Sequence, residues 1–226
     1  MIVKIVQPPA PDLGPAITNY WAKSVFGAPV ATNHASVSMV STFMRLVESC
    51  VGEYTLAEGA LQKFWQTHSH FDVASIHRAV SHFETCVSNM VRAIKCFNKL
   101  RRDKDVIREV RQNLSQQVLT FNKGATIKKL GDVRNLIHHF DTAAADELAR
   151  GQSIALMATG SEVPVPNERG QTLKTIDRLE IGKHTLMFGD IAAWLNEMVA
   201  CARIISEYEI HQPISPAAAF VRFFGP

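Results

Sequence analysis

Along the first 149 residues hydrophobic positions recur every three or four residues, a spacing that predicts a succession of amphipathic helices. A short helix is expected from Ile17 to Phe26. From Asn33 to Val51, Val37, Val40, Met44 and Val47 keep the period and Gly52 supplies a stop. Thr55 with Glu58 three residues later has the form of a capping box and opens a helix reaching about His68. The longest pattern is 72–102, where Val73, Ile76, Val80, Phe83, Val87, Met90, Ile94 and Phe97 alternate steps of three and four, as in a helix packed along a neighbour at a shallow angle. Asp103 to Phe121 predicts another helix, with Ile107, Val110, Leu114, Val118 and Phe121 facing inward. Asn122-Lys123-Gly124 breaks it before a helix over 126–149, whose core face is Ile127, Leu130, Val133, Ile137, Phe140, Ala144 and Leu148.

After Arg150-Gly151 the period changes. Ile154 to Thr159 reads as a strand, Gly160-Ser161 as a turn, and Val163 to Gly170, with Pro164 and Pro166, as a loop. Leu173 to Ile181 and Thr185 to Phe188 are strand candidates meeting at a Gly182-Lys183 hairpin. Asp190 is placed to cap a last helix carrying Ile191, Trp194, Leu195, Met198, Val199, Ala202 and Ile205. The predicted fold is mainly α: an up-and-down helical bundle with a small β-hairpin or sheet inserted before the C-terminal helix. It forms a single domain over 1–226, with an irregular proline-rich arm at 1–16, the β insertion at 152–188 and an apolar tail at 210–226. Phe220, Val221, Phe223 and Phe224 in that tail are expected to dock on their own domain or on a protein partner.

Composition narrows the functional classes. At 46% hydrophobic and 20% charged the chain is an ordinary globular protein, and a net charge of +3 permits an anionic partner without demanding one. Cys50, Cys86, Cys96 and Cys201 lie far apart in helical patterns, which reads as reduced core thiols and a cytoplasmic setting. No apolar run approaches the roughly 20 residues that span a bilayer, and the opening residues lack the order of a secretory signal, so neither membrane insertion nor export is expected. Neither a glycine-rich phosphate loop nor a nucleophile elbow is present, which argues against ATP hydrolysis and serine esterase chemistry. His68, His70, His77 and His82 are close in sequence, but their spacing does not suit a zinc site, and no metal or other cofactor is expected.

The candidate chemistry lies on the 126–149 helix. Opposite its core face stand Lys128, Gly131, Asp132, Asn135, His138 and His139, with Arg134 at the rim. Asn135 and His139 are four apart, so the amide can orient the imidazole; Arg134 and His138 form a second such pair. The structural alternative is a solvated helix face.

Arg134, followed by Asn135-Leu136-Ile137-His138 and then His139, resembles the signature of the HEPN superfamily (higher eukaryote and prokaryote nucleotide-binding domains), an Arg and a His separated by four to six residues. Arg178 and His184 also have that spacing, but in a strand-and-turn context; helical context selects Arg134 and His139. The resemblance implies a metal-independent endoribonuclease acting on RNA, with Arg134 and His139 catalytic, Asn135 and His138 supporting, and a homodimer joining two motif helices in one cleft. A role in defence or stress response is implied on the same ground. The alternative it admits is a non-catalytic module that binds a nucleotide or a protein. Asp141 stands where one subclass carries a modifiable Tyr, which disfavours regulation by nucleotidyl transfer. Lys95, Lys99, Arg101, Arg102, Lys104, Arg108 and Arg111 cluster around the end of the long helix. Arg101 and Arg102, with Lys123 and Lys128, are the candidate RNA-backbone contacts; the alternative is solvation of a helix end.

Overall fold

The computed structural model describes residues 1–25, 30–66, 72–138, 155–166, 168 and 170–208. Among these are six helices, α1 (Gly14–Val25), α2 (His34–Gln66), α3 (Val73–Leu100), α4 (Arg108–Gln116), α5 (Gly124–His138) and α6 (Phe188–Glu207), and six short strands. The protein is mainly helical, with most of its β structure just before the last helix.

α2 and α3 form the spine. Their cross-helix partners run in opposite directions, from His82 Nδ1 on Glu53 Oε2 (2.7 Å) through Asn89 Nδ2 on Ser49 Oγ (2.9 Å) to Cys96 Sγ on the Met39 carbonyl (3.2 Å), so the two helices are antiparallel. Asp72 caps α3, accepting from the Ser75 amide and hydroxyl, and those bonds hold its carboxyl below the usual range. Phe83 stacks on Phe188 at 5.3 Å and meets Tyr54 edge-on at 6.2 Å, joining α2, α3 and α6 in one core. The Tyr54 hydroxyl donates to the Pro8 carbonyl at 3.1 Å, so the core also grips the proline-rich leader. Cys50, Cys86 and Cys201 are buried, Cys96 is half-buried, and all four are free thiols. Burial pushes Cys201 up to about 12 and Cys96 up to about 11, which leaves their thiols unreactive near neutral pH.

Several sequence expectations are corrected. The arm is irregular over 6–13 as expected but not at its start: β1 (Ile2–Ile5) pairs in parallel with β4 (Thr172–Ile176), a partner too distant in sequence for local pattern to reveal. Gly52 does not stop a helix and Thr55 does not cap one. α2 runs through both for 33 residues, with the Thr55 hydroxyl donating back to the Val51 carbonyl at 3.0 Å. The loss of roughly 1 kcal/mol for a helical glycine is outweighed here by burial of Cys50 and Tyr54 on either side. The 103–121 helix contracts to α4, and Val118, beyond its end, is 89% exposed instead of facing inward. Pro164 lies in an edge strand, β3 (Glu162–Pro164), where its missing N–H costs little. Asp190 is not the cap of α6. Met187 occupies that position without a side-chain bond, and Asp190 sits in the first turn, where its charge complements the helix dipole.

The expected strand from Leu173 to Ile181 is divided at Asp177 into β4 and β5 (Arg178–Ile181), which belong to different sheets, β1-β4-β3 and β2-β5-β6. β2 is Met157–Thr159 and β6 is His184–Met187. Gly160 lets the two sheets cross closely: a Cβ there would lie 1.5 Å from the Thr175 carbonyl oxygen. The β5–β6 hairpin turns at Gly182-Lys183 as expected, with Gly182 at φ 53°. The expected tail, the second half of the 126–149 helix, His68 and His70 lie outside the described residues. No described helix is long and apolar enough to cross a membrane.

Candidate functional site

α5 is fixed against α3 from its N-terminal end. The Glu197 carboxylate on α6 accepts from the Thr120 amide (2.7 Å), the Thr120 hydroxyl (2.7 Å) and the Phe121 amide (2.9 Å), locking the segment that leads into the helix. Asn98 on α3 donates to Asn122 at 2.8 Å, and Phe121 packs edge-on against Phe97 at 5.3 Å. Leu130 and Val133 are then buried, as the period predicted, while Ile137 is half-buried and Ile127 surfaces. Sequence reasoning missed Glu197: a lone carboxylate amid an apolar helix carries no local signal of a partner 77 positions away.

The polar flank of α5 does not point wholly to solvent. Gly131, Arg134 and Asn135 line a cavity of about 180 Å³ shared with Val91, Ile94 and Lys95 of α3. Arg134 is half-buried and Asn135 exposed, and their side chains approach at 3.5 Å, the outer limit of a hydrogen bond. His138 is exposed and its Nε2 lies 3.0 Å from Ser88 Oγ on α3, one helical turn beyond Arg134. His139, the expected catalytic imidazole, lies outside the described residues, so the Asn135–His139 pairing does too. Lys95 was noticed only as part of the basic cluster. Its place beside Arg134 comes from the meeting of two helices, which neither period displays alone.

The remaining basic candidates divide. Arg92, Lys95, Lys99 and Arg102 are exposed at successive steps of three and four along α3 and the turn just past its end, making one basic stripe about 15 Å long. Lys99 and Arg102 also border a shallow cavity of about 370 Å³ with Met39, Asn98 and Asp103. Arg101 is half-buried, its guanidinium 5.3 Å from the centre of the Phe97 ring, where it packs on the core. Lys123 and Lys128 are exposed on α5 and its leader, and Arg111 donates to the Asp103 carbonyl. Arg178 is bound to Glu180 and Asp177 within its strand region, matching the context that set the second Arg–His pair aside.

The cavity beside Arg134 is lined by two cations, an amide and apolar carbons, with no carboxylate among the described residues. That set favours an anion carrying an apolar or planar group. Among the described residues no three His, Cys, Asp or Glu side chains converge to hold a metal; His77 is exposed and His82 is bonded to Glu53. No family model matches the chain, and no curated protein and no solved structure is significantly similar to it. The HEPN resemblance therefore rests on residues 134–139 alone.

Proposed function

We propose that this protein is a metal-independent endoribonuclease whose reacting phosphate lies in the groove between α3 and α5. The observation that supports this reading is the pairing of Arg134 with Lys95 around an open cavity whose described lining holds no carboxylate, on the helix face that carries the Arg–His signature. Arg134 holds the non-bridging phosphate oxygens through its planar fork and stabilises the charge that grows on them. His139 removes the proton of the ribose 2′-hydroxyl as that oxygen attacks phosphorus. An imidazolium returns a proton to the departing 5′-oxygen, leaving a 2′,3′-cyclic phosphate and a 5′-hydroxyl.

One imidazole serves poorly as both base and acid. The second proton carrier is His138, oriented by Ser88, or His139 of a second copy across a two-fold axis. Arg92, Lys95, Lys99 and Arg102 would track the flanking phosphates, with Lys123 and Lys128 extending that surface.

The test incubates the purified chain with mixed RNA in EDTA beside Arg134→Ala and His139→Ala. Cleavage by wild type and a loss of roughly 100-fold or more in each variant is expected, with DNA inert because it lacks the attacking hydroxyl. Equal cleavage by all three would remove the nuclease reading. RNA binding without cleavage would leave the groove as the recognition surface of a nucleotide-binding regulatory module.

A further inference from the structure

The cavity between α3 and α5 has a shape as well as a charge. Val91 and Ile94, both buried, line it together with the exposed Ile127 and with Gly131, which contributes no side chain. A Cβ built on Gly131 would meet no atom of the described residues within 4 Å. The packing of this chain therefore does not require a glycine there, and alanine would hold the helix better. What glycine supplies is depth.

Volume limits the occupant. An apolar cavity of about 150 Å³ holds a benzene ring, whereas pockets that enclose whole small ligands run from about 300 Å³ upward. At about 180 Å³ this one takes a single six-membered ring. Lys95 is exposed and Arg134 half-buried while Val91 and Ile94 are buried, so a ring packed on the apolar residues would leave its sugar and phosphate beside Lys95 and Arg134. The Asn135 amide both donates and accepts, which suits the hydrogen-bonding edge of a base.

We infer that this cavity is a subsite for one pyrimidine base, flipped out of a single strand, with its phosphate held by Lys95 and Arg134. A purine would leave its second ring outside, and a duplex could not enter without unpairing. The choice of RNA rests on the reading above; occupancy of the cavity is measured apart from cleavage.

The experiment titrates the full chain with uridine 3′-monophosphate, adenosine 3′-monophosphate and inorganic phosphate by calorimetry. Uridine monophosphate is expected to bind roughly tenfold tighter than either of the others, the scale on which an apolar pocket discriminates. Gly131→Phe should bring uridine monophosphate down to the phosphate level, and Lys95→Ala should weaken both. Gly131→Ala, which helix propensity favours, guards against misfolding; it should lower uridine monophosphate affinity with its thermal transition kept or raised. Equal binding of the three ligands, or unchanged binding by Gly131→Phe, overturns the subsite. Should the nucleotide bind as expected while RNA stays intact, the nuclease reading falls and the subsite stands. If RNA is cut equally after purines and pyrimidines, and equally by Gly131→Phe, the subsite falls and the nuclease stands.

Discussion

The two flanks of α3 are built differently. Toward α2 and α6 it presents Phe83, Cys86, Met90 and Phe97, all buried, with Phe83 stacked on Phe188 and Phe97 against Phe43. Toward α5 it presents Ser88, Val91 and Lys95, against a helix that buries only Leu130 and Val133 in full and leaves a cavity beside them. A dense seam on one side holds the helix rigid, so the sparse seam on the other can remain partly open. Ligand sites commonly occupy such seams, because a closed core has no room for a guest.

The largest expected effect tests the dense side. Phe83→Ala removes the ring stacked on Phe188 and should cost about 3–5 kcal/mol in urea unfolding. Ser88→Ala, across the helix, should cost about 1 kcal/mol or less, since its partner His138 is exposed. Comparable losses at the two positions would erase the distinction between the flanks.

An intermediate effect concerns the hinge between them. Glu197→Gln weakens three bonds to Thr120 and Phe121 and should cost about 1.5–3 kcal/mol. Amide hydrogen exchange should quicken at Thr120 and Phe121 and through the first turn of α5, while α2 stays protected. Unchanged exchange would mean that the hydrophobic contacts of Phe121 alone hold α5 in place.

The same contrast explains what could be read from sequence. α6, and α3 from Phe83 onward, were legible because each packs against several elements and writes its burial into a continuous period: Ile191, Trp194, Leu195, Met198, Val199, Ala202 and Ile205 are all buried, whereas Val73, which opens the α3 period, is exposed. The joining of two expected helices into α2 was not, since a glycine reads as a stop unless burial on both sides is known. Val118 follows the period yet stands exposed, because the helix that would have turned it inward ends at Gln116. At the site, Arg134, Asn135 and Gly131 were found by helical phase. Lys95 and Ser88 come from another helix, and the cavity exists only where the two meet.

The smallest expected effect separates the flanks most cleanly, because it uses one substitution in two places. Gly52 on α2 and Gly131 on α5 are both helical, and a Cβ at either meets no atom of the described residues within 4 Å. Alanine at each should therefore raise stability by about 0.5–1 kcal/mol through the restricted unfolded chain and the better helix propensity. At Gly52 the added methyl enters solvent, and nucleotide affinity should not change. At Gly131 it enters the cavity, so affinity for uridine monophosphate should fall while stability rises. Urea unfolding and calorimetry on the two variants give both numbers. A Gly131→Ala protein that binds as tightly as wild type would show that the space beside this glycine is idle, and the groove would retain only its charge.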